Sequence, residues 1–288
     1  MMKLGISSYC LYPNLHSQEM SVRQMLEWVK AQGADHVEFT PHGIDFETNP
    51  GAVEQIADAT RKLGLEVANY AISANFLQST PDEYRQELAR VKKQVELAAR
   101  LGSSQMRHDV VAWAYKQSSV GQFEGDFEHL VDACGIIADY AASYGITTTI
   151  ENHGFYITPS DRSLRIVQAV NRPNFKMLLD IGNFLCVDEN PVAAVKQCLS
   201  VASIIHFKDF YIRRAYEYPG EGWVQTMNGN YIRGAIFGQG DMDVRYIIRI
   251  IKESGYKGPI SIEFEGFEAA ERGTSASFAN ARRLWDEA

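Results

Sequence analysis

Short apolar runs alternate along this chain with longer segments in which apolar residues recur every three or four positions. The short runs are typical of buried strands, and the longer spacing is typical of amphipathic helices. The pattern predicts eight strand–helix units. The predicted strands cover residues 4–9, 36–40, 66–73, 104–110, 147–152, 175–182, 202–209 and 259–266. The predicted helices cover residues 21–33, 53–64, 82–101, 126–144, 161–170, 192–199 and 243–255, with an eighth at the C-terminus.

Several predicted helices end in a glycine directly before the next strand, as at Gly33, Gly102 and Gly255. A glycine there supplies the left-handed cap that turns the chain back, and parallel strands need such crossovers. No Gly-rich dinucleotide fingerprint follows the first strand. The sequence therefore predicts a single-domain (β/α)₈ TIM barrel over residues 1–288 rather than an open doubly wound sheet.

Composition narrows the functional classes. The chain has 288 residues and a formal net charge of −8, and its Lys/Arg blocks are no longer than a pair. Such a surface repels phosphate backbones, so nucleic acid is not expected as a partner. We also expect a soluble, cytoplasmic protein without a membrane partner, because no long apolar run is present. The four cysteines lie far apart, which favours reduced, buried thiols.

Four of the predicted strands end with a side chain that binds metal well: Glu151, Asp180, His206 and Glu263. They close the fifth to eighth strands, which are neighbours in a barrel, and barrel active sites lie at these strand ends. Their alternation with apolar residues allows all four to point inward. Three carboxylates and one imidazole suit one divalent ion, namely Mn²⁺, Mg²⁺, Co²⁺ or Zn²⁺.

Other polar residues lie near the same rim. Lys208 follows His206 by two residues, and it is either an acid/base or oxyanion partner or a surface ammonium paired with Asp209 or Glu265. His153 shares the inward parity of Glu151 and is either a hydrogen-bond partner or a substrate contact. A further group at the ends of the second and fourth strands lines a pocket or forms loop salt bridges: Glu38, Arg107, His108 and Asp109.

A long loop is predicted at about residues 211–240, and it is rich in aromatic residues and arginine, including Trp223 and Arg233. Long loops in compact domains are usually functional. The segment is expected to form a lid that brings Arg233 to the substrate, a homo-oligomer interface, or both. GQGD at 238–241 is read as a tight turn with an aspartate N-cap, with anion binding as the alternative.

Four strand-end motifs resemble those of the xylose-isomerase-like TIM-barrel superfamily: IENHG at 150–154, LDIGN at 179–183, HFKD at 206–209 and SIEFEG at 261–266. That superfamily includes sugar isomerases, ketose 3-epimerases, inosose dehydratases and endonuclease IV. The resemblance implies that Glu151, Asp180, His206 and Glu263 hold one divalent ion. Glu265 shares the parity of Glu263 and is the alternative ligand; otherwise it binds a substrate hydroxyl.

The resemblance also implies a reaction. A metal that chelates the carbonyl and neighbouring hydroxyl of a sugar stabilises an enediolate, while a carboxylate removes the carbon-bound proton. Glu151 and Glu263 would form the acid/base pair of an isomerase or epimerase acting on a small polyhydroxy carbonyl compound.

One position departs from the epimerase pattern. Those enzymes carry His three residues after the Asp ligand, where this chain has Asn183. Asn orients a hydroxyl but does not shuttle a proton, so Lys208 becomes the alternative acid/base. An inosose-dehydratase-like lyase acting on a cyclic polyol ketone is therefore the second hypothesis. A non-catalytic sugar-binding barrel and an endonuclease IV-like phosphodiesterase are less favoured.

Overall fold

The computed structural model describes residues 2–46, 51–115 and 119–288, in which strands and helices alternate. The strands are β1 (Leu4–Ser7), β2 (His36–Phe39), β3 (Glu66–Ile72), β4 (Gln105–His108), β5 (Thr147–Glu151), β6 (Phe175–Asp180), β7 (Ala202–Phe207), β8 (Asp209–Arg213), β9 (Val224–Gln225), β10 (Tyr231–Ala235) and β11 (Ile260–Ile262). The helices are α1 (Tyr12–His16), α2 (Val22–Ala31), α3 (Ala52–Lys62), α4 (Pro81–Leu101), α5 (Val120–Ala142), α6 (Ser160–Val170), α7 (Pro191–Cys198), α8 (Val244–Glu253) and α9 (Ala270–Glu287). Short 3₁₀ turns occupy Ser8–Leu11, Asn183–Val187 and Leu199–Val201.

Eight parallel strands close into a barrel in the order β1-β11-β7-β6-β5-β4-β3-β2. The eighth barrel strand is therefore β11, which pairs with β1 through Leu4 and Ile260. This closure confirms the predicted (β/α)₈ barrel. The register also places Asp180 directly opposite His206 on the neighbouring strand, so two of the predicted ligands share one level of the rim.

The barrel strands are largely buried on both faces, because one face fills the barrel and the other lies under the helices. All residues of β1, β2 and β11 are buried, for example. Helix α8 shows the complementary pattern, since Val244, Ile247, Ile248 and Ile251 are buried along one side. The four cysteines are free and buried, as predicted. Within the described residues, none of the helices combines the length and apolar character needed to cross a membrane.

Among the differences from the sequence prediction, two concern helix α5 and the segment after β7. Helix α5 begins at Val120 rather than at residue 126, because the side chain of Ser119 accepts a hydrogen bond from the backbone amide of Gln122 and caps the helix. The segment predicted as a loop at residues 211–240 instead carries a three-stranded antiparallel sheet in the order β8-β10-β9. We call residues 209–241 the insertion.

The insertion is fixed to the barrel rim at two aspartates. Asp188 accepts hydrogen bonds from the Thr226 hydroxyl at 2.8 Å, the Asn228 amide at 2.8 Å and the Asn230 side chain at 2.7 Å. Asp209 accepts from the amides of residues 238 and 240, each at 2.9 Å. The amides of the GQGD turn are thus bound by a carboxylate of the chain itself. This agrees with the predicted tight turn and not with the alternative, an anion-binding site.

Candidate metal and active site

The structure brings the four residues predicted as metal ligands to one point. One ligand atom from each of Glu151, Asp180, His206 and Glu263 lies within 4.8 Å of all the others. The Nδ1 atom of His206 is 3.8 Å from a carboxylate oxygen of Glu151, 3.8 Å from one of Asp180 and 3.5 Å from one of Glu263. We call these four residues the acidic cluster.

The imidazole of His206 is oriented from below by Glu38. Both carboxylate oxygens of Glu38 lie 3.0 Å from Nε2 of His206, and both side chains are buried. Nδ1 therefore faces the three carboxylates. Glu38 is neither a pocket wall nor part of a loop salt bridge, the two roles considered from sequence, because its strand β2 projects it across the barrel interior.

The donor set fits a divalent cation. Nδ1 of His206 and Oδ2 of Asp180 are buried and have no hydrogen-bond partner, although such atoms are normally satisfied. Burial alone lowers the pKa of His206, but the charges of Glu38 and Glu263 raise it well above its ordinary value. A cation bound at Nδ1 therefore has to displace a proton from this ring.

One carboxylate oxygen of Asp180 is hydrogen-bonded to backbone amides. Its Oδ1 atom accepts hydrogen bonds from the amides of Gly182 at 2.7 Å and Asn183 at 2.8 Å. Burial, together with the nearby Glu151 and Glu263, raises the pKa of Asp180 to about 6 against the lowering effect of Lys208. Its other oxygen is left for the cluster.

Glu151 lies in a chain of buried ion pairs. Its Oε2 atom is 2.6 Å from the guanidinium of Arg107, which is also 3.0 Å from Asp109. Asp109 in turn lies 2.9 Å from Nδ1 of His153. Pocket wall and salt bridge were the two roles considered from sequence. Arg107 and Asp109 have both, because they form a salt bridge with each other and also line the pocket. His108 faces away, packed against Phe76 and Phe175 rings.

Glu263 is the first residue after β11, and the thiol of Cys10 binds the backbone on both sides of it. The Sγ atom of Cys10 donates to the carbonyl of Ile262 at 3.2 Å and accepts from the amide of Phe264 at 3.1 Å. These contacts fix the peptide groups on both sides of Glu263. Burial keeps Cys10 a protonated donor by raising the pKa of its thiol to about 12.

Lys208 is buried beside the acidic cluster. Its Nζ atom is 2.5 Å from Glu263, 3.2 Å from the Asn183 side-chain oxygen, 3.4 Å from Glu265 and 3.5 Å from Asp180. The alternative considered from sequence, a surface ammonium paired with Asp209 or Glu265, is wrong about exposure because Lys208 is buried, although the contact with Glu265 is present. Burial alone lowers the pKa of Lys208, but the surrounding carboxylates raise it well above its ordinary value, so the ammonium is charged.

A cavity of about 670 Å³ opens above the acidic cluster. The predicted substrate contacts that line it are His153, Asn183, Lys208, Arg107 and Glu265. Arg233 is not among the lining residues. Its guanidinium lies about 5 Å from the rings of Tyr211, Trp223 and Phe267, at 5.2, 5.0 and 5.1 Å, and it joins the insertion to the loop after β11.

Sequence reasoning missed several lining residues: Tyr9, Thr40, His42, Glu87, Arg90 and Trp113. Tyr9 and Thr40 follow the ends of β1 and β2, where the rule used for the four ligands would have found them. Glu87 and Arg90 lie on helix α4, and no sequence signal separates them from an ordinary exposed ion pair.

Comparison with known proteins identifies the family. The family model described as "Xylose isomerase-like TIM barrel" matches residues 26–284. The chain belongs to this family. The resemblance predicted from the strand-end motifs is thereby confirmed.

Within the xylose isomerase-like family, one relative is the 3-dehydroshikimate dehydratase of Pseudomonas putida, which is 23% identical over 86% of this chain and 37% of its own length. The matched part of the chain spans between 37% and 53% of the length of these curated relatives.

Solved structures show the same fold. An L-ribulose 3-epimerase aligns with a TM-score of 0.78 at 13% identity, over 100% of this chain and 95% of its own. The IOLI protein with a bound zinc atom aligns with a TM-score of 0.77 at 18% identity, over 99% of each chain.

Proposed function

We propose that this protein is a divalent-metal-dependent isomerase or epimerase acting on a small polyhydroxy carbonyl compound. The observation that carries the proposal is the acidic cluster, with its four ligand atoms within 4.8 Å and two buried atoms that lack a hydrogen-bond partner. Family membership supports it, because structural relatives include an L-ribulose 3-epimerase and a zinc-bound protein.

The residues that would hold the ion are Glu151, Asp180, His206 and Glu263. A bound Mn²⁺, Mg²⁺, Co²⁺ or Zn²⁺ acts as a Lewis acid that polarises a carbonyl oxygen and acidifies the neighbouring C–H bond. Glu38 serves this site by fixing the ring of His206, and Cys10 serves it by fixing the backbone at Glu263.

Proton transfer is assigned to Glu151 and Glu263. They stand at the two ends of the four-strand arc β5-β6-β7-β11, with Asp180 and His206 between them. A substrate over the centre of this arc exposes one side to each carboxylate. One glutamate can then remove a carbon-bound proton while the other returns one to the opposite side or to a neighbouring atom.

Neighbouring groups hold these two carboxylates and orient the substrate. Arg107 and the Asn183 amide bind the two oxygens of Glu151 at 2.6 and 3.0 Å. Lys208 binds Glu263 and keeps it ionised, because the Lys208 and His206 charges outweigh burial and hold the pKa of Glu263 well below its ordinary range. Asn183 and His153 are the proposed contacts for substrate hydroxyls.

A second candidate is a lyase that removes water from a cyclic polyol ketone. Lys208 favours it, since a charged ammonium within hydrogen-bond distance of Glu263 is a proton donor for a leaving hydroxyl. The dehydratase among the relatives supports the same reaction type. Loss of 18 mass units from the substrate identifies this reaction, whereas isomerisation and epimerisation leave the mass unchanged.

The first experiment is elemental analysis of protein purified without chelator and then incubated with Mn²⁺ or Zn²⁺. Wild type should retain about one ion per chain, and Asp180→Ala and His206→Ala should lose it. Asp139→Ala and His16→Ala, which change exposed residues outside the cavity, are the matched controls. Absence of a retained ion in wild type would refute the proposal.

The second experiment detects proton chemistry directly. Metal-loaded protein is incubated in D₂O with ketoses and with a keto-inositol, and carbon-bound deuterium is measured by NMR. We expect incorporation with wild type and none with Glu151→Gln or Glu263→Gln. Metal-loaded wild type that incorporates no deuterium with any of these compounds would indicate a binding protein.

A further inference from the structure

We infer that the cavity above the acidic cluster selects uncharged polyhydroxy ketones and discriminates against ligands that carry a phosphate or a carboxylate. This inference rests on the proposed function and narrows its substrate class. It follows from the charges that line the cavity, from their partners and from the polar groups that remain for a ligand.

Carboxylates outnumber permanent cations along the described cavity wall. Five carboxylates line it: Glu87, Asp109, Glu151, Glu263 and Glu265. Three permanent cations line it: Arg90, Arg107 and Lys208. Asp180 and Glu38 add two further carboxylates directly beneath, as described above. A divalent ion in the acidic cluster neutralises part of this surplus but leaves the outer wall unchanged.

Each of the three lining cations is already engaged by carboxylates. Arg107 lies between Glu151 and Asp109, at 2.6 and 3.0 Å. Lys208 contacts carboxylate oxygens at 2.5, 3.4 and 3.5 Å. Arg90 binds both oxygens of Glu87 at 2.8 and 2.9 Å and the Ser73 carbonyl at 2.7 Å. An anionic ligand would therefore compete with a carboxylate at every one of these cations.

His153 is already paired with Asp109 at 2.9 Å, and the other polar side chains that remain for a ligand on the described cavity wall are neutral. The Thr40 hydroxyl lines the cavity, is buried and lacks a hydrogen-bond partner. Such a hydroxyl both donates to and accepts from a substrate hydroxyl. The phenol of Tyr9 and the imidazole of His42 lie on the same side, with ring centroids 5.2 Å apart. Burial lowers the pKa of His42, and Arg107 adds to this effect, so the ring is neutral.

The test compares ligand pairs in which one member is neutral and the other carries a phosphate or a carboxylate. Dissociation constants are measured by calorimetry on Mn²⁺-loaded protein for L-ribulose against L-ribulose 5-phosphate, and for the methyl ester of 3-dehydroshikimate against 3-dehydroshikimate itself. We expect the neutral member of each pair to bind at least about tenfold more tightly, because like charges meet inside a partly buried cavity.

Two variants test the residues behind the selectivity. Glu87→Gln removes the carboxylate beside Arg90 while its amide oxygen still accepts from the Asn75 amide. It should reduce the preference in the 3-dehydroshikimate pair by about threefold or more, and Glu83→Gln, on the same helix outside the cavity, should not. Thr40→Val should weaken binding of the neutral members without changing metal content.

The outcomes separate the two proposals. Wild type that retains no metal refutes the proposed function. Metal-loaded wild type that binds the charged member of either pair as tightly as the neutral one, or that binds no member of either pair, refutes the selectivity alone. An unchanged preference in Glu87→Gln refutes the role given to the Glu87 and Arg90 pair.

Discussion

Replacement of Lys208 by Met should move the stability of the metal-free protein and its metal affinity in opposite directions. In the absence of metal the Lys208 ammonium is the cation closest to Glu263, at 2.5 Å, and it also lies within 3.5 Å of Asp180. Methionine keeps the unbranched stem but removes the charge. Glu263 and Asp180 then remain buried without the ammonium that partners both of them.

The size of the effect follows from burial. Lys208 and Asp180 are almost fully buried and Glu263 is nearly so, and removing one partner of a buried ion pair costs about 3–5 kcal/mol. In a chain of this length each kcal/mol lowers Tm by roughly 2–4 °C, so metal-free Lys208→Met should melt roughly 6–20 °C below wild type. Its affinity for Mn²⁺ should rise at least about tenfold, because no ammonium repels the incoming ion.

The assay is thermal unfolding followed by circular dichroism, in excess chelator and then in excess Mn²⁺, with metal affinity from a competing dye. Lys93→Met, an exposed residue on α4, is the control. The double variant Lys208→Met/Glu263→Gln should recover part of the lost metal-free stability, because it removes both charges of the closest pair. Equal metal-free Tm values for Lys208→Met and wild type, or weaker Mn²⁺ binding by the variant, would refute the reasoning.

Three further predictions concern residues beneath the site. Glu38→Gln should weaken Zn²⁺ binding about tenfold, because a neutral amide replaces the carboxylate that orients the ligand imidazole; an unchanged dissociation constant in dye competition would contradict this. Cys10→Ala should also weaken Zn²⁺ binding several-fold, whereas Cys10→Ser, which keeps a donor and an acceptor, should restore most of it; equal losses in both variants would show that the thiol contributes only packing. Burial lowers the pKa of His36 and of His108 to about 4. The unfolded chain, with a pKa near 6.5, binds more protons between these values, so each ring removes about 3 kcal/mol of stability as the pH falls from about 6.5 to about 4. His36→Gln and His108→Gln should therefore lose less stability than wild type between pH 7 and pH 5 in urea unfolding, and matching losses would contradict the neutral burial of these rings.

The barrel and the four clustered residues were predictable from sequence because both depend on local periodicity. Each strand ends where its apolar run ends, and parallel strands in a closed barrel present their C-terminal ends to one rim. Glu151 and Asp180 end β5 and β6, His206 is the next-to-last residue of β7, and Glu263 comes one residue after β11. Four strand ends, each identified from local sequence, therefore predicted one cluster of side chains in the folded protein.

Contacts across the barrel were not predictable in the same way. Glu38 meets His206 from 168 positions away in sequence, and that pairing depends on the stagger of strands around the barrel, which periodicity does not specify. The insertion was missed as a sheet because β9 has only two residues, Val224 and Gln225, both exposed. Arg233 was predicted to contact the substrate because it is a cationic residue in a long segment near the rim. Residue type does not show which way a side chain points, and Arg233 points toward aromatic rings instead.

Lys208 lies at the junction between the barrel and the insertion. It is the single residue between the end of β7 at Phe207 and the start of β8 at Asp209. The same peptide that carries the ammonium to Glu263 therefore joins the rigid barrel wall to the insertion sheet. Any change in the orientation of the insertion would act on the residue that carries this ammonium, and the ammonium is the cation nearest to Glu263.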